Sequence, residues 1–557
     1  MTSKQNVRRA EFIRPSLDGR RFDIAVIGGG INGVAIAREC ARAGRQTLLL
    51  EQNDFSSGTT SRSTRIIHGG LRYLEHGELG LVAESLRERQ RLLSERPHLV
   101  RPRRFLLALP PEGNRSALAV RAALWAYRWF GGSHASRGSG STVSEFSRQL
   151  DAGRRWLLFP YEDAQCEFPE RLVAEWLAEA CQAGTIARNY AEALEIEVRD
   201  GRALSLVFRD QLDGTEQRVE ATHFINATGP WVDQFCQRAS LTSGQRLVGG
   251  IRGSHVVLPT FPNAPKSAVY SEAADGRGFF VIPWNEQLLV GTTEVQDDGD
   301  PGTARPSPTE IDYLLHSFTA LFPHHPVTTN DVRYAFAGIR PLPYAPGREY
   351  AAITRRAILH DHAGEGAAGL MSVVGGKLTT AASLARRCVG EMGISVKREP
   401  LVEVAIAPAD GLESSLRQWG REISCRAQIS EASARVIAEW HGRRAMCVAR
   451  LAASAEPLRA RLCEHSSHLA AEAVAAVQYE SAVHLGDILL RRVPVALGAC
   501  WSAACSRTAA ERIGKALDWA SHRMEEELEG FENERQQFLQ AAVGRRDRRL
   551  EAMENVA

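Results

Sequence analysis

The sequence predicts an α/β fold with a sheet-rich second layer and an α-helical C-terminal region, on three observations. First, FDIAVIGGG from Phe22 reads as a short buried strand that passes through glycines into a helix reaching about Ala43, and residues 46–50 read as a second strand, so a βαβ unit opens the fold. Second, the apolar runs FFVIP (279–283) and LLVGTT (288–293), parted by a polar turn at 285–287, read as a β-hairpin of another layer. Third, after about Gly393 the texture turns to Ala, Arg, Glu and Leu with helical periodicity as far as about Gly530.

In chain order, residues 1–20 are a polar extension before the first strand. Leu79, Val82, Ala83, Leu86, Gln90 and Leu93 follow helical spacing, and Pro97 closes that amphipathic helix. The end of the chain, with Arg545, Arg546, Arg548 and Arg549, reads as a solvated charged tail over 531–557.

Composition bounds the function. The 557 residues carry 68 Lys plus Arg against 66 Asp plus Glu, with 44% hydrophobic and 7% aromatic residues, which is ordinary for a soluble globular protein. A net charge of +2 argues against nucleic acid as a partner, since a phosphate polymer needs a strong basic surplus. Only five of the basic residues are lysines, so a single arginine carries little weight by itself. The ten cysteines show no CxxC pair and no metal-type spacing, and read as reduced, mostly buried small hydrophobes of a cytoplasmic protein that binds no metal. The N-terminal residues lack an apolar signal core, and no uncharged apolar run approaches the roughly 20 residues that span a bilayer.

Gly28, Gly30 and Gly33 form GxGxxG between the first strand and its helix, and Glu51 ends the next strand. The glycines allow a tight turn and close approach to a pyrophosphate, which the unpaired N–H groups of the helix N-terminus attract, while Glu51 suits ribose hydroxyls. NAD and FAD share this fingerprint. INATGPWVDQF (225–235), with Gly229 in its turn, and SVVGGKLTTAASLA (372–385), with Gly375, Gly376 and Lys377, favour a flavin. The latter sets a strand, a glycine pair and a helix so that N–H donors face an anion, as a reduced flavin requires.

The segments SRSTRIIHGGLRYLEHGELGLVAESLRER (61–89), NATGPWV, RGSHVVLP (252–259), AGIRPLP (337–343) and VVGGKLTT together resemble the FAD-dependent, quinone-linked glycerol-3-phosphate dehydrogenase family of the D-amino-acid-oxidase-like flavoproteins. ESAVHLGDILLRRV (480–493) is similar to that family's C-terminal helical domain. The resemblance implies a Rossmann-like FAD-binding domain interleaved with a β-sheet-rich substrate domain over 21–393, then an α-helical domain over 394–530. It also implies a noncovalent FAD, oxidation of sn-glycerol 3-phosphate to dihydroxyacetone phosphate, and electrons passed to membrane quinone. Glu294, in GTTEV, stands where the family usually has Asp, a carboxylate displaced by one methylene.

Such a reaction needs a hydride path to the flavin, a group that takes the hydroxyl proton, and cations for a phosphate dianion. Arg72 and Tyr73 follow paired glycines. Arg340 precedes a proline, which biases it toward an extended conformation at a strand end. Arg355 and Arg356 are adjacent on an expected strand, so only one enters the pocket, and the family motif matches Arg355. A guanidinium fork suits bidentate phosphate binding. Lys377 is a candidate to stabilise negative charge near the flavin. For the base, His255 is the first candidate and His68 the second, because an unperturbed imidazole titrates near the working pH; Arg340 is a further candidate to orient the substrate oxygen.

Quinone reduction implies peripheral contact with the inner face of the cytoplasmic membrane, for which ALAVRAALWAYRWFGG (117–132) mixes Leu, Trp and Tyr with Arg; a homodimer is also expected. The alternatives are a glycerol-phosphate oxidase using O2, an amine or amino-acid oxidase of the wider superfamily, and a non-catalytic flavin-binding protein, the last disfavoured by the pocket arginines and Lys377.

Overall fold

A computed structural model describes residues 14–71, 73, 77–110, 116–131, 143, 146–147, 149–150, 155–238, 245–395 and 411–538. Arg72, most of the N-terminal extension and the arginines of the tail lie outside the described residues.

Two sheets carry the described residues before the helical region. In the first, Arg21–Ile27 lies between Thr47–Leu50 and Glu216–Asn226, parallel to both, in registers that pair Ile24 with Thr47 and Ile27 with Asn226. Leu370–Val374 continues the sheet beyond Glu216–Asn226, also in parallel. A parallel strand covered on both faces must be apolar throughout, and this accounts for the run Ile24 to Ile27, all buried. The helix Ile31–Arg42 follows Gly30 directly and buries Ile31, Val34, Ala35 and Ile36. It packs against the helices Pro169–Gln182 and Ala381–Glu391.

The second sheet has Val248–Pro259 near one edge, flanked antiparallel by Gln287–Gly291 and by Tyr334–Pro343. Gly278–Trp284 and Gln287–Gly291 form the expected hairpin. Strands of the two sheets alternate along the chain, which is the interleaving the fold class implies.

Three local expectations differ from the structure. The helix Leu79–Glu95 buries Leu81, Val82, Ser85, Leu86 and Leu92, while Leu79, at its first position, is exposed. Arg355 and Arg356 precede the strand Ile358–Asp361 instead of lying on it; an irregular turn leaves Arg355 half-buried and Arg356 exposed. The last helix, Ser521–Phe538, runs through Gly530, because Phe531 is buried and packs edge-on against Trp501.

The helices from Leu412 share one core with the second sheet: Leu416, Ile437, Val474 and Ile488 belong to the same buried cluster as Phe105, Val257 and Trp284. Buried ion pairs fix the docking. Arg171 forks onto Glu480 at 2.7 and 2.5 Å, and Arg492 onto Asp54 at 2.7 and 2.8 Å.

Candidate active site

A cavity of about 1600 Å³ runs from the glycine loop at the end of the first strand to the second sheet. Ordinary ligand pockets hold about 300–1,000 Å³, so there is room for a large dinucleotide and a small substrate together. Every predicted site residue among those described lines it except Gly33. Gly33 sits just beneath the loop, where a Cβ would come within 1.8 Å of the Gly28 carbonyl oxygen, so only glycine lets the helix approach the strand this closely. Gly30 gives the helix Ile31–Arg42 no side-chain cap, and its first turn holds no acidic residue. Its N-terminus therefore keeps backbone donors and dipole for an anion.

The Glu51 carboxylate accepts hydrogen bonds from the backbone N–H of Gly29 at 2.7 Å and of Asn53 at 2.9 Å, which fixes it at the mouth of the cradle. Across the cavity Gly375 and Gly376 adopt positive φ, and the Asn32 amide donates to the Gly375 carbonyl at 3.3 Å. The Asn32 Oδ1 atom is buried without a hydrogen-bond partner in the protein. An uncapped helix end, a glycine cradle and an orphaned polar oxygen in one cavity fit a bound dinucleotide. Gly229 lines the same wall from the turn after Asn226.

At the other end Arg340 and Arg355, fifteen positions apart in sequence, converge on one carboxylate. Glu294 Oε1 lies 3.2 Å from Arg340 Nη1 and 3.5 Å from Arg355 Nη2. Arg340 also donates to Thr292 Oγ1 at 2.9 Å and to the Thr293 carbonyl at 2.8 Å, while Arg355 donates to the carbonyls of Tyr350 and Ile353. The register opposes Gly253 to Gly338, two positions from Arg340 on its strand, and a Cβ on Gly253 would come within 2.4 Å of the guanidinium. That glycine opens the path for Arg340. Glu294, noted only as a departure from the family pattern, thus holds two positive forks side by side.

His255 departs from its expectation. It is buried, stacked on Phe336 at 5.0 Å, with Nε2 3.0 Å from Thr64 Oγ1 and Nδ1 unpartnered. Burial, with Arg340 and Arg65 nearby, pulls its pKa down to about 3. It is neutral at working pH and does not titrate near 7. His68 lies half-buried, 6.0 Å between ring centroids from Tyr73, and its backbone is tied to Thr379. Lys377 instead has the pKa sought for a base: burial, followed by a smaller opposing pull from Glu84 and Glu78, brings it down to about 7. Its Nζ donates to Ser85 Oγ at 2.7 Å and lies 4.5 Å over the Tyr73 ring.

Sequence reading missed Thr64, Asn32, Arg62 and Asp163. Arg62 lines the cavity and is lowered to about 10 by burial. Asp163 is buried, takes hydrogen bonds from Tyr127 and Arg89, and braces the backbone of Gly69. Thr64 and Arg62 stand in a quoted motif but are residue types too common to single out. No local pattern marks Asp163, whose partners come from other elements.

A glycine cradle on a parallel sheet, continuous with a cationic pocket on a second sheet, defines a dinucleotide-dependent oxidoreductase. The family described as FAD dependent oxidoreductase matches residues 23–382, and that described as the C-terminal domain of alpha-glycerophosphate oxidase matches residues 403–524. A glycerol-3-phosphate dehydrogenase of Synechocystis sp. is 35% identical over 521 residues, 87% of this chain and 90% of its own. The aerobic glycerol-3-phosphate dehydrogenase of Escherichia coli is 35% identical over 66% of this chain and 73% of its own. The X-ray structure of the glycerol-3-phosphate dehydrogenase from Bacillus halodurans complexed with FAD shares the fold at a TM-score of 0.73 and 24% identity, covering 94% of this chain and 96% of that one. The chain belongs to the glycerol-3-phosphate dehydrogenase family of FAD-dependent oxidoreductases, and FAD is its cofactor.

Proposed function

We propose that this protein oxidises sn-glycerol 3-phosphate to dihydroxyacetone phosphate and passes the electrons to membrane quinone. The observation that carries the reading is the convergence of Arg340 and Arg355 on Glu294 inside the cavity that holds the glycine cradle. Two guanidinium forks match a phosphate dianion, and one carboxylate between them leaves a net positive charge. When bound, FAD, held without a covalent link, supplies the two-electron acceptor for the carbon-bound hydrogen. Arg340 and Arg355 hold the phosphate, joined by Tyr73 and, as the family motif implies, by Arg72. Neutral Lys377 takes the hydroxyl proton at Nζ, and the ammonium so formed would offset negative charge near a bound flavin. Neutral His255, held by Thr64, forms part of the cavity wall near Arg340, and His68 backs Tyr73. The same reading assigns residues 21–393 to oxidation and 394–530 to a helical domain docked on it.

The test is the anaerobic visible spectrum of the purified protein before and after sn-glycerol 3-phosphate, with glycerol and an amino acid as controls. Bleaching by the phosphate ester alone is the expected result. Bleaching by the amino acid alone would replace this reading with an amino-acid oxidase.

Proton transfer to Lys377 sets the pH dependence. Protonated below about 7, the amine cannot act as base, so kcat/KM is expected to rise as pH climbs through that value. Lys377→Met should flatten this limb, whereas His255→Asn should leave its midpoint in place. Titration of the substrate phosphate is common to all three proteins and drops out of the comparison.

Bilayer contact is supported by the helix Ala117–Gly131. Its outer face exposes Leu118 (75%), Trp125 (65%) and Trp129 (71%), one helical stripe flanked by exposed Arg121 and Arg128. Its inner face, with Ala119, Val120 and Ala123, lines the cavity. Trp at the headgroup level with Arg beside it is the composition of an interfacial helix. Among the described residues no helix is long and apolar enough to cross a membrane. The wild type is expected to float with anionic vesicles and Trp125→Ser/Trp129→Ser to stay in the soluble fraction. Peroxide production matching substrate consumption would assign the electrons to O2 instead.

A further inference from the structure

Cysteines that look scattered in sequence meet in the C-terminal helical domain. Cys463 and His465 sit on the turn between the helices that end at Ser454 and begin at Ala470. Cys505 lies in the first turn of Ala503–Leu517, whose N-cap is Ser502. Cys463 Sγ lies 3.5 Å from Cys505 Sγ and 3.5 Å from His465 Nδ1, and the three ligand atoms all fall within 4.8 Å of one another. Around a tetrahedral zinc with Zn–S of about 2.3 Å and Zn–N of about 2.0–2.1 Å, two sulfurs stand about 3.8 Å apart and a sulfur and a nitrogen about 3.5 Å. The observed spacing is that of ligands around one ion.

The surroundings suit thiolates. The backbone N–H of His465 points at Cys463 Sγ at 3.5 Å, and the Ser502 hydroxyl donates to Cys505 Sγ at 3.4 Å. Such donors stabilise sulfur ligands and fix their direction. Both cysteines are buried while His465 is exposed, so the cluster has packed walls and an opening to solvent. Cys500, also exposed, lies in the loop just before Ser502, and its carbonyl accepts from Cys505 Sγ.

We propose that Cys463, His465 and Cys505 bind a zinc ion, with solvent at the fourth position, which the opening beside His465 admits. Two thiolates and an imidazole select zinc over magnesium or calcium, which prefer oxygen. The ion ties the 455–469 connection to the start of the Ala503–Leu517 helix, adding to the hydrogen bonds that Arg512 of that helix donates to the Arg461 carbonyl and to Glu464. It is a structural staple remote in chemistry from the flavin pocket. The sequence hides it because no pair has CxxC spacing: one ligand pair is Cys-x-His, and the third ligand comes from a helix start downstream.

The experiment is titration of the reduced, full-length flavoprotein with Co(II), read at wavelengths longer than flavin absorption. The expected result is the d–d bands of a tetrahedral thiolate site at one equivalent of metal, erased by Zn(II), with a higher thermal midpoint for the zinc-loaded protein. Cys463→Ser and Cys505→Ser should lose the bands. Because those sites are buried, His465→Ala, at an exposed position, serves as the variant that leaves the fold intact, and its affinity should fall at least about tenfold. Cys181→Ser, outside the cluster, should bind as the parent does. Absence of tetrahedral bands, or bands unchanged in His465→Ala, would overturn the proposal. So would a Cys463–Cys505 disulfide in freshly isolated protein that takes up no metal after reduction.

Discussion

Arg340→Ala is expected to lower kcat/KM for sn-glycerol 3-phosphate by about 10²- to 10³-fold while the protein keeps its flavin. Truncating one member of a desolvated, hydrogen-bonded charge pair costs about 2–5 kcal/mol, and each 1.4 kcal/mol is about tenfold in rate. Two effects combine at this position. The phosphate loses one of its two forks, and Glu294, left with Arg355 alone, turns a net positive pocket neutral. Arg340→Lys should recover only a small part, because an ammonium cannot reach Thr292, the Thr293 carbonyl and Glu294 in one plane as the guanidinium does. Steady-state kinetics with the phosphate ester, set beside flavin content and thermal midpoint, check the prediction. A variant within a few-fold of the parent would remove Arg340 from the substrate site.

Asp54→Ala is expected to be the most destabilising single change, with a loss of about 3–5 kcal/mol. Asp54 is buried beneath the cofactor cavity and receives Arg492 on both oxygens and Arg491 on one. Arg491 retains Asp487 and Glu534 in the variant, but Arg492 keeps only the Glu480 carbonyl as a hydrogen-bond acceptor among the described residues. A guanidinium stranded in the interior cannot shed its proton, so the domain must open to solvate it. The thermal midpoint should drop by roughly 10 °C, with flavin fluorescence rising in the same transition. Asp54→Asn, which keeps the shape and loses the charge, should fall between.

The same pairs fix the response to acid. Burial alone would raise the Asp54 and Glu480 carboxyls, but Arg492 and Arg491 hold the first below its ordinary value, and Arg171 holds the second at about 2. A carboxyl whose folded pKa is depressed contributes stability above its unfolded value of about 4, and that contribution disappears as pH falls through the folded one. Stability of the parent should therefore decline between about pH 4 and pH 2, and the decline should be shallower in Asp54→Asn.

The sequence by itself determined the nucleotide cradle. Strand, glycine turn and helix are contiguous from Phe22 to Ala43, and the close approach of Gly33 to the Gly28 carbonyl is local, so GxGxxG with Glu51 is legible as a cradle before any tertiary contact is known. Hydrophobic patterning likewise determined the sheet-rich layer and the helical C-terminal region. Motif likeness singled out Arg340, Arg355 and Lys377, although it could not say that two of them share a carboxylate.

Tertiary structure alone decided the chemistry of those residues. Ionisation depends on desolvation and on charges brought in from elsewhere: His255 lies in an apolar run that looks unremarkable, yet burial and proximity to Arg340 keep it neutral, while burial beside Tyr73 turns Lys377 into a group that titrates near 7. Asp54 and Arg491 stand 437 residues apart, and Cys463 and Cys505 stand 42 apart with no periodic relation between them. Such pairs leave no trace in spacing, because the chain between them is long enough for any register, and only tertiary packing, of the helical domain on the flavin domain for the first pair and within the helical domain for the second, brings their side chains within bonding distance.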